Sequence, residues 1–272
     1  MITREPVYSD VPDNLVARGW RAVLLALGEV GRAGSLTAHA LAACPLVLSR
    51  RRWRLELVRQ MYIVGIKSLP LISVVGLFTG MILALQVGLE LRRYNQEVYI
   101  GSAVMVSLLR EMGPFMSGIV LAACVGSSMA AQIGTMTVND EIAALETMSI
   151  SPIRFLMAPR IGAMVLMTPL LSFYTCVLGV IGGGVVGVTQ LNVPWDQYIS
   201  MAMDIARMRD LYVGLLKALV FGVVVTGVSC YEGFTTTQGA VGVGRATRRS
   251  VITSILLILI LGYIVTRLFY DL

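Results

Sequence analysis

The chain has 272 residues, of which 56% are hydrophobic and 14% charged, with a formal net charge of +6. Soluble domains carry about a quarter charged residues, and a mean hydropathy of +0.78 places this chain among integral membrane proteins. The charge does not point to nucleic acid, because the arginines flank apolar segments and do not line one face.

Residues 1–66 form an N-terminal cytoplasmic and interfacial arm. Its opening, MITREPVYSDVPDN, lacks the apolar core of a secretory signal. The stretch SRRRWRLELVRQMYIVGIKSLP mixes arginines with Trp53, Leu55, Leu57, Val58, Met61 and Tyr62. Basic and apolar residues on opposite sides describe a helix lying in the membrane interface. Residues 67–272 form an all-α membrane domain of five spans. A span needs about 20 apolar residues, and Leu69–Leu89, a helix within Val98–Ala131, Ile161–Thr189, Leu211–Tyr231 and Val251–Phe269 qualify.

The second span carries SLLREMGP, Ser107 to Pro114. A charge at the bilayer centre costs about 2.5–3.5 kcal/mol on insertion scales, so Arg110 and Glu111 mark a functional or pairing site. Adjacent helical residues point about 100° apart, so the two do not pair with each other. One reading runs a continuous helix from Val98 to Val125 with both groups inside the bilayer. The other starts the helix at Gly113-Pro114. On the first span, Leu71, Val75, Phe78, Ile82 and Leu85 follow helical spacing and form an apolar wall suited to an acyl chain, to which Gln86 adds a polar edge. A helix–helix contact explains the same spacing. Lys67 and Lys217 lie near span ends, where lysines snorkel. Gly179, Gly183 and Gly187 lie four apart on the third span and allow close helix approach, within the subunit or between subunits.

Between spans two and three, Asn139 is a candidate helix cap, with Asp140 and Glu141 in the first turn. Ile142, Leu145, Met148 and Ile150 follow at near-helical spacing until Ser151-Pro152 ends the helix. A short amphipathic helix of this kind docks onto its own membrane domain or into a partner's groove. Five crossings with the N-terminus inside place nine, two and three arginines in the inner segments 1–66, 132–160 and 232–250, against five outside. The positive-inside rule then favours N-in, C-out.

The chemistry of bond-making is missing. There is no Gly-x-x-x-x-Gly-Lys, no His-Glu-x-x-His and no nucleophile elbow, and His39 is the only histidine. Cys44, Cys124, Cys176 and Cys230 have no metal-ligand spacing and read as small buried residues. No metal site, cofactor or catalytic residue is expected in this chain.

Taken in order, RQMYIVGIKSLPLI, GLFTGMILALQ, SLLREMGP, AAQIGTM, EIAALETMSISPIRFLMAPR and GVGRATRRSV resemble the MlaE-type (YrbE-type) permeases of lipid-transporting ABC systems. The resemblance implies a homodimer in the bacterial inner membrane that moves phospholipid between that membrane and the outer envelope. ATP and Mg would be bound by a separate cytoplasmic ATPase. A periplasmic MCE-domain lipid carrier and, in some systems, a STAS-domain regulator complete the implied partners. It places Arg110 and Glu111 at the lipid cavity and makes Glu141–Ser151, with Leu145, Glu146, Met148 and Pro152, the ATPase coupling helix. Gly242, Gly244, Arg245 and Thr247 fall in a loop entering the fifth span. Cys124, Gln132 and Thr137 stand where the resembled family carries arginine, glutamate and arginine. An ion-coupled secondary transporter and a non-transporting scaffold are the alternatives from the residues alone.

Overall fold

The computed structural model describes residues 28, 31–42 and 51–270, so most of the N-terminal arm, including Cys44, lies outside the described residues. Residues 31–42 form helix α1. Next come α2 (Arg51–Val64), α3 (Leu69–Arg93), α4 (Ile100–Ser107), α5 (Gly113–Leu121) and α6 (Ser127–Val138). The remaining helices are α7 (Glu141–Thr147), α8 (Ala158–Leu191), α9 (Trp195–Ile205), α10 (Met208–Phe234) and α11 (Gly239–Phe269). All five expected spans are present as helices long and apolar enough to cross a membrane. A single 3₁₀ turn, Ile66–Ser68, joins α2 to α3.

Two π-turns, Leu108–Met112 and Ala122–Gly126, join α4, α5 and α6 into one continuous second span. The second span is therefore one continuous helix, and Gly113-Pro114 is not its start. Proline has no N–H for the carbonyl of residue 110, and its ring crowds that carbonyl. Widening the turn relieves both problems. The Gly113 N–H bonds the Leu108 carbonyl, five residues back.

Helix α3 packs against α8 through a face of Gly76, Gly80, Ala84 and Gly88, all buried. A Cβ on Gly80 would fall on the backbone of Gly179, so the two helices touch backbone to backbone. The small-residue stripe of α8 thus serves packing within the subunit, with Gly183 and Gly187 facing Tyr198 of α9. Overpacking a tight contact costs about 1–3 kcal/mol, occasionally more. Gly80→Val is expected at the upper end or beyond, read as a lowered melting temperature of the detergent-solubilised protein.

Four sequence expectations are corrected. The helix after Asn139 ends at Thr147, four residues before Ser151, and its cap position is Asp140 in the left-handed region, at φ 58°. Ser149, also left-handed at φ 59°, turns the chain back, and Pro152 opens the next helical segment. Short polar side chains tolerate that conformation, which the hydrophobic spacing alone does not reveal. Residues 242–251 are the first turns of α11 and not a loop, with the sharp turn set earlier by Gln238 and Gly239 at positive φ. Cys176 and Cys230 are buried, but Cys124 is exposed in the second π-turn. Lys217 does not snorkel: its side chain is 1% exposed. Helix α9 was not expected. It buries Tyr198, whose hydroxyl donates to the Val180 carbonyl at 3.0 Å and whose phenol pKa is raised by that burial.

Candidate functional site

Asp210, Gly214, Lys217 and Phe221 lie four, three and four residues apart, on one face of α10. That face meets the π-turn containing Arg110 and Glu111. Gly214 makes the approach possible, since a Cβ there would fall on the Leu109 carbonyl. Phe221 fills the space beside Gly118, one layer further along.

The adjacent charges diverge, each to its own partner two turns apart on α10. The Nε of Arg110 sits 2.9 Å from Asp210 Oδ1, and its Nη2 donates to Oδ2 at 3.1 Å. Tyr270, just past the last span, donates its hydroxyl to Asp210 Oδ1 at 2.6 Å. Its ring lies under the Arg110 guanidinium, 4.7 Å from centroid to Cζ, with Arg209 at 5.7 Å. Burial, and then the Asp210 carboxylate, push the Tyr270 phenol up to about 12. It therefore stays a donor at any physiological pH. Asp210 is 2% exposed and Arg110 36%. The carboxylate is thus enclosed while part of the guanidinium stays open.

The second half of the cluster is more fully satisfied. The Lys217 ammonium donates to the Arg110 carbonyl at 2.7 Å, to Glu111 Oε1 at 2.6 Å and to Thr266 Oγ1 at 2.7 Å. Those are all three donors an ammonium owns. The first of them supplies the hydrogen bond that Pro114 cannot make. Thr266 donates to Glu111 Oε1 at 2.6 Å, with the Gly262 carbonyl as alternative acceptor at 2.8 Å. Glu111 itself remains 41% exposed. The arrangement ties the second, fourth and fifth spans together while leaving one edge of an arginine and one carboxylate accessible. An open guanidinium edge suits a phosphate or carboxylate, which it binds with paired hydrogen bonds.

Asp210, Thr266 and Tyr270 were not singled out from sequence, and Lys217 was read there as a snorkelling lysine and not as part of the site. The usable signal was a polar residue at each of two same-face positions in an apolar span. Phe78, Ile82 and Gln86 are not gathered here; they lie exposed along α3. Glu141, Glu146, Met148 and Ser151 are exposed around α7, with Leu145 and Pro152 half-buried. Arg245 donates to Gln238 at 2.9 Å and Thr247 to the Gly244 carbonyl at 2.8 Å, while Gly242 packs where a Cβ would meet Thr237. Thr137 donates within reach of the Gly233 carbonyl at 3.0 Å, and Gln132 accepts from Arg160 at 3.3 Å. Among the described residues, no group of acids, histidines and cysteines could hold a metal ion.

The sequence model of the permease MlaE family matches residues 57–268. The chain belongs to the MlaE permease family. The match covers Arg110, Glu111, Asp210, Lys217 and Thr266 and stops just short of Tyr270. The intermembrane phospholipid transport system permease protein MlaE of Haemophilus influenzae is 33% identical over 259 residues, 95% of this chain and 98% of that protein. A probable ABC transporter permease protein of Rickettsia typhi is 39% identical over 215 residues, 79% of this chain and 83% of its own length. A probable ABC transporter permease protein of Synechocystis is 34% identical over 225 residues, 83% and 86% of the two chains. The buried cluster therefore lies in a transport permease, and ATP hydrolysis falls to a partner subunit.

Proposed function

We propose that this permease is the membrane-spanning subunit of an ABC transporter that moves phospholipid between the inner membrane and the outer envelope. The observation that carries the reading is the open edge of Arg110, held inside an apolar span by Asp210 and Tyr270. A phosphodiester headgroup is an anion that such an edge recognises, and the surrounding apolar surface suits acyl chains. The permease works as a homodimer in the bacterial inner membrane, N-in and C-out. The exposed α3 face of Phe78, Ile82 and Gln86 then meets lipid in the central cavity between two copies. A periplasmic MCE-domain carrier passes the lipid onward, and a STAS-domain protein regulates some such systems.

The separate ATPase acts through α7, which buries none of its own residues. Behind α7 the second span runs unbroken as a helix from Ile100 to Val138, interrupted only by its two π-turns. A push on α7 is thus delivered along one rod to the turn that carries Arg110. The π-turns are the places where that rod bends most easily.

Met148 is 66% exposed, so Met148→Asp leaves the fold intact. Together with Leu145→Asp it should cut ATPase recovery on affinity purification at least ~10-fold, about 1.4 kcal/mol of contact. Undiminished recovery with the double variant would remove α7 as the coupling element.

A further inference from the structure

At the α7 end of the bundle, remote from the Arg110 cluster, lies a cavity of ≈ 1390 Å³ between α2, α6 and the start of α8. Arg160 lines it and is only 7% exposed. Its Nη1 donates to the Leu156 carbonyl at 2.7 Å and its Nη2 to Gln132 Oε1 at 3.3 Å. Its Nε is buried with no acceptor. Both partners are neutral, and no ion pair to Arg160 occurs among the described residues. The acid in the cavity wall, Glu56, is already engaged: Gln60 donates to its Oε1 at 2.8 Å and Arg59 lies 3.7 Å from its Oε2.

A buried guanidinium with only neutral acceptors carries an uncompensated desolvation penalty. An anion entering the cavity removes that penalty, since the Glu56 and Arg59 charges in the wall offset each other and leave Arg160 as the excess positive charge. Apolar side chains, Ile63 and Phe155 among them, line the cavity beside the polar groups. We infer that this cavity is a second anion site, which binds a phosphate group at Arg160, from a phospholipid headgroup or as free phosphate. Its polar groups lie on α2 and at the adjoining ends of the second and third spans, and its apolar lining favours the lipid as the source. The lipid source rests on the transport reading above; the phosphate chemistry does not.

The probe is phosphatidylglycerol with a diazirine near the start of one acyl chain, in phosphatidylcholine nanodiscs holding the permease. Illumination followed by peptide mapping should label segments containing Ile63 or Phe155. Labelling there should fall at least tenfold in Arg160→Gln and equally in Gln132→Glu. The second variant supplies an internal carboxylate to Arg160 and should raise the melting temperature, so a folding failure of the first does not decide the outcome. Cavity labelling that excess inorganic phosphate abolishes assigns the site to free phosphate. Labelling that survives it assigns the site to the headgroup. Labelling unchanged in Gln132→Glu, or confined to the Arg110 segment, overturns the second site and leaves the transport reading standing. Cavity labelling in a complex that moves no lipid with ATP would sink the transport reading alone.

Discussion

Glu111→Leu is expected to lower the unfolding free energy by about 3–5 kcal/mol, the cost of breaking a buried ion pair by removing one member. The reason is the partner it strands. Lys217 is 1% exposed and would keep only two neutral acceptors, the Arg110 carbonyl and Thr266. The reverse variant, Lys217→Met, should cost less, because Glu111 is 41% exposed and its carboxylate can turn outward to find water or a headgroup. Replacing both, as Glu111→Leu with Lys217→Met, should recover most of the loss, since apolar residues of similar volume substitute well for a buried pair. Thermal unfolding of the four proteins in one detergent checks all three statements. Equal losses for the two single variants would mean that Glu111 is enclosed as tightly as Lys217.

Arg110→Lys is expected to leave the protein folded and lower lipid transport about 10- to 100-fold, or about 1.4–2.7 kcal/mol. Lysine keeps a charge near Asp210, but one compact ammonium cannot hold a carboxylate and offer a second edge to a phosphate. It also loses the planar group that stacks on Tyr270. Arg110→Ala is a poorer probe, since it leaves Asp210, 2% exposed, with Tyr270 as its remaining partner. The informative measurement is the transfer rate of Arg110→Lys at matched melting temperature. An unchanged rate would make the cluster a structural tie between spans and nothing more.

The spans were legible because membrane insertion demands long apolar runs, and that demand is written residue by residue. Leu69–Leu89 and Val251–Phe269 lie inside the observed helices for this reason. The Gly179–Gly183–Gly187 stripe signalled a close contact correctly, yet its partner face on α3 became visible only when Gly80 met Gly179. Pairing is a property of two helices, and spacing along one does not name the other.

The site was half legible. Arg110 and Glu111 stand out because charge is expensive in an apolar run. Lys217 was assigned to an interface because it is a lysine near a span end. The close approach at Gly214 and the carbonyl released by Pro114 enclose it instead. Ends of helices were the least readable parts. Asp140, Ser149 and Gln238 adopt left-handed conformations, so α7 closes early and α11 starts before its apolar run. Helix α9 was hidden because a short amphipathic segment between spans looks like any polar connection until Tyr198 is seen buried.

The central claim is tested most directly by reconstituting the complex purified on this permease into vesicles holding a fluorescent phospholipid and following its movement to acceptor vesicles. Transfer that requires ATP, and that falls in Arg110→Lys while ATP hydrolysis by the partner continues, is the predicted result. Transfer at the same rate with and without ATP would contradict the account.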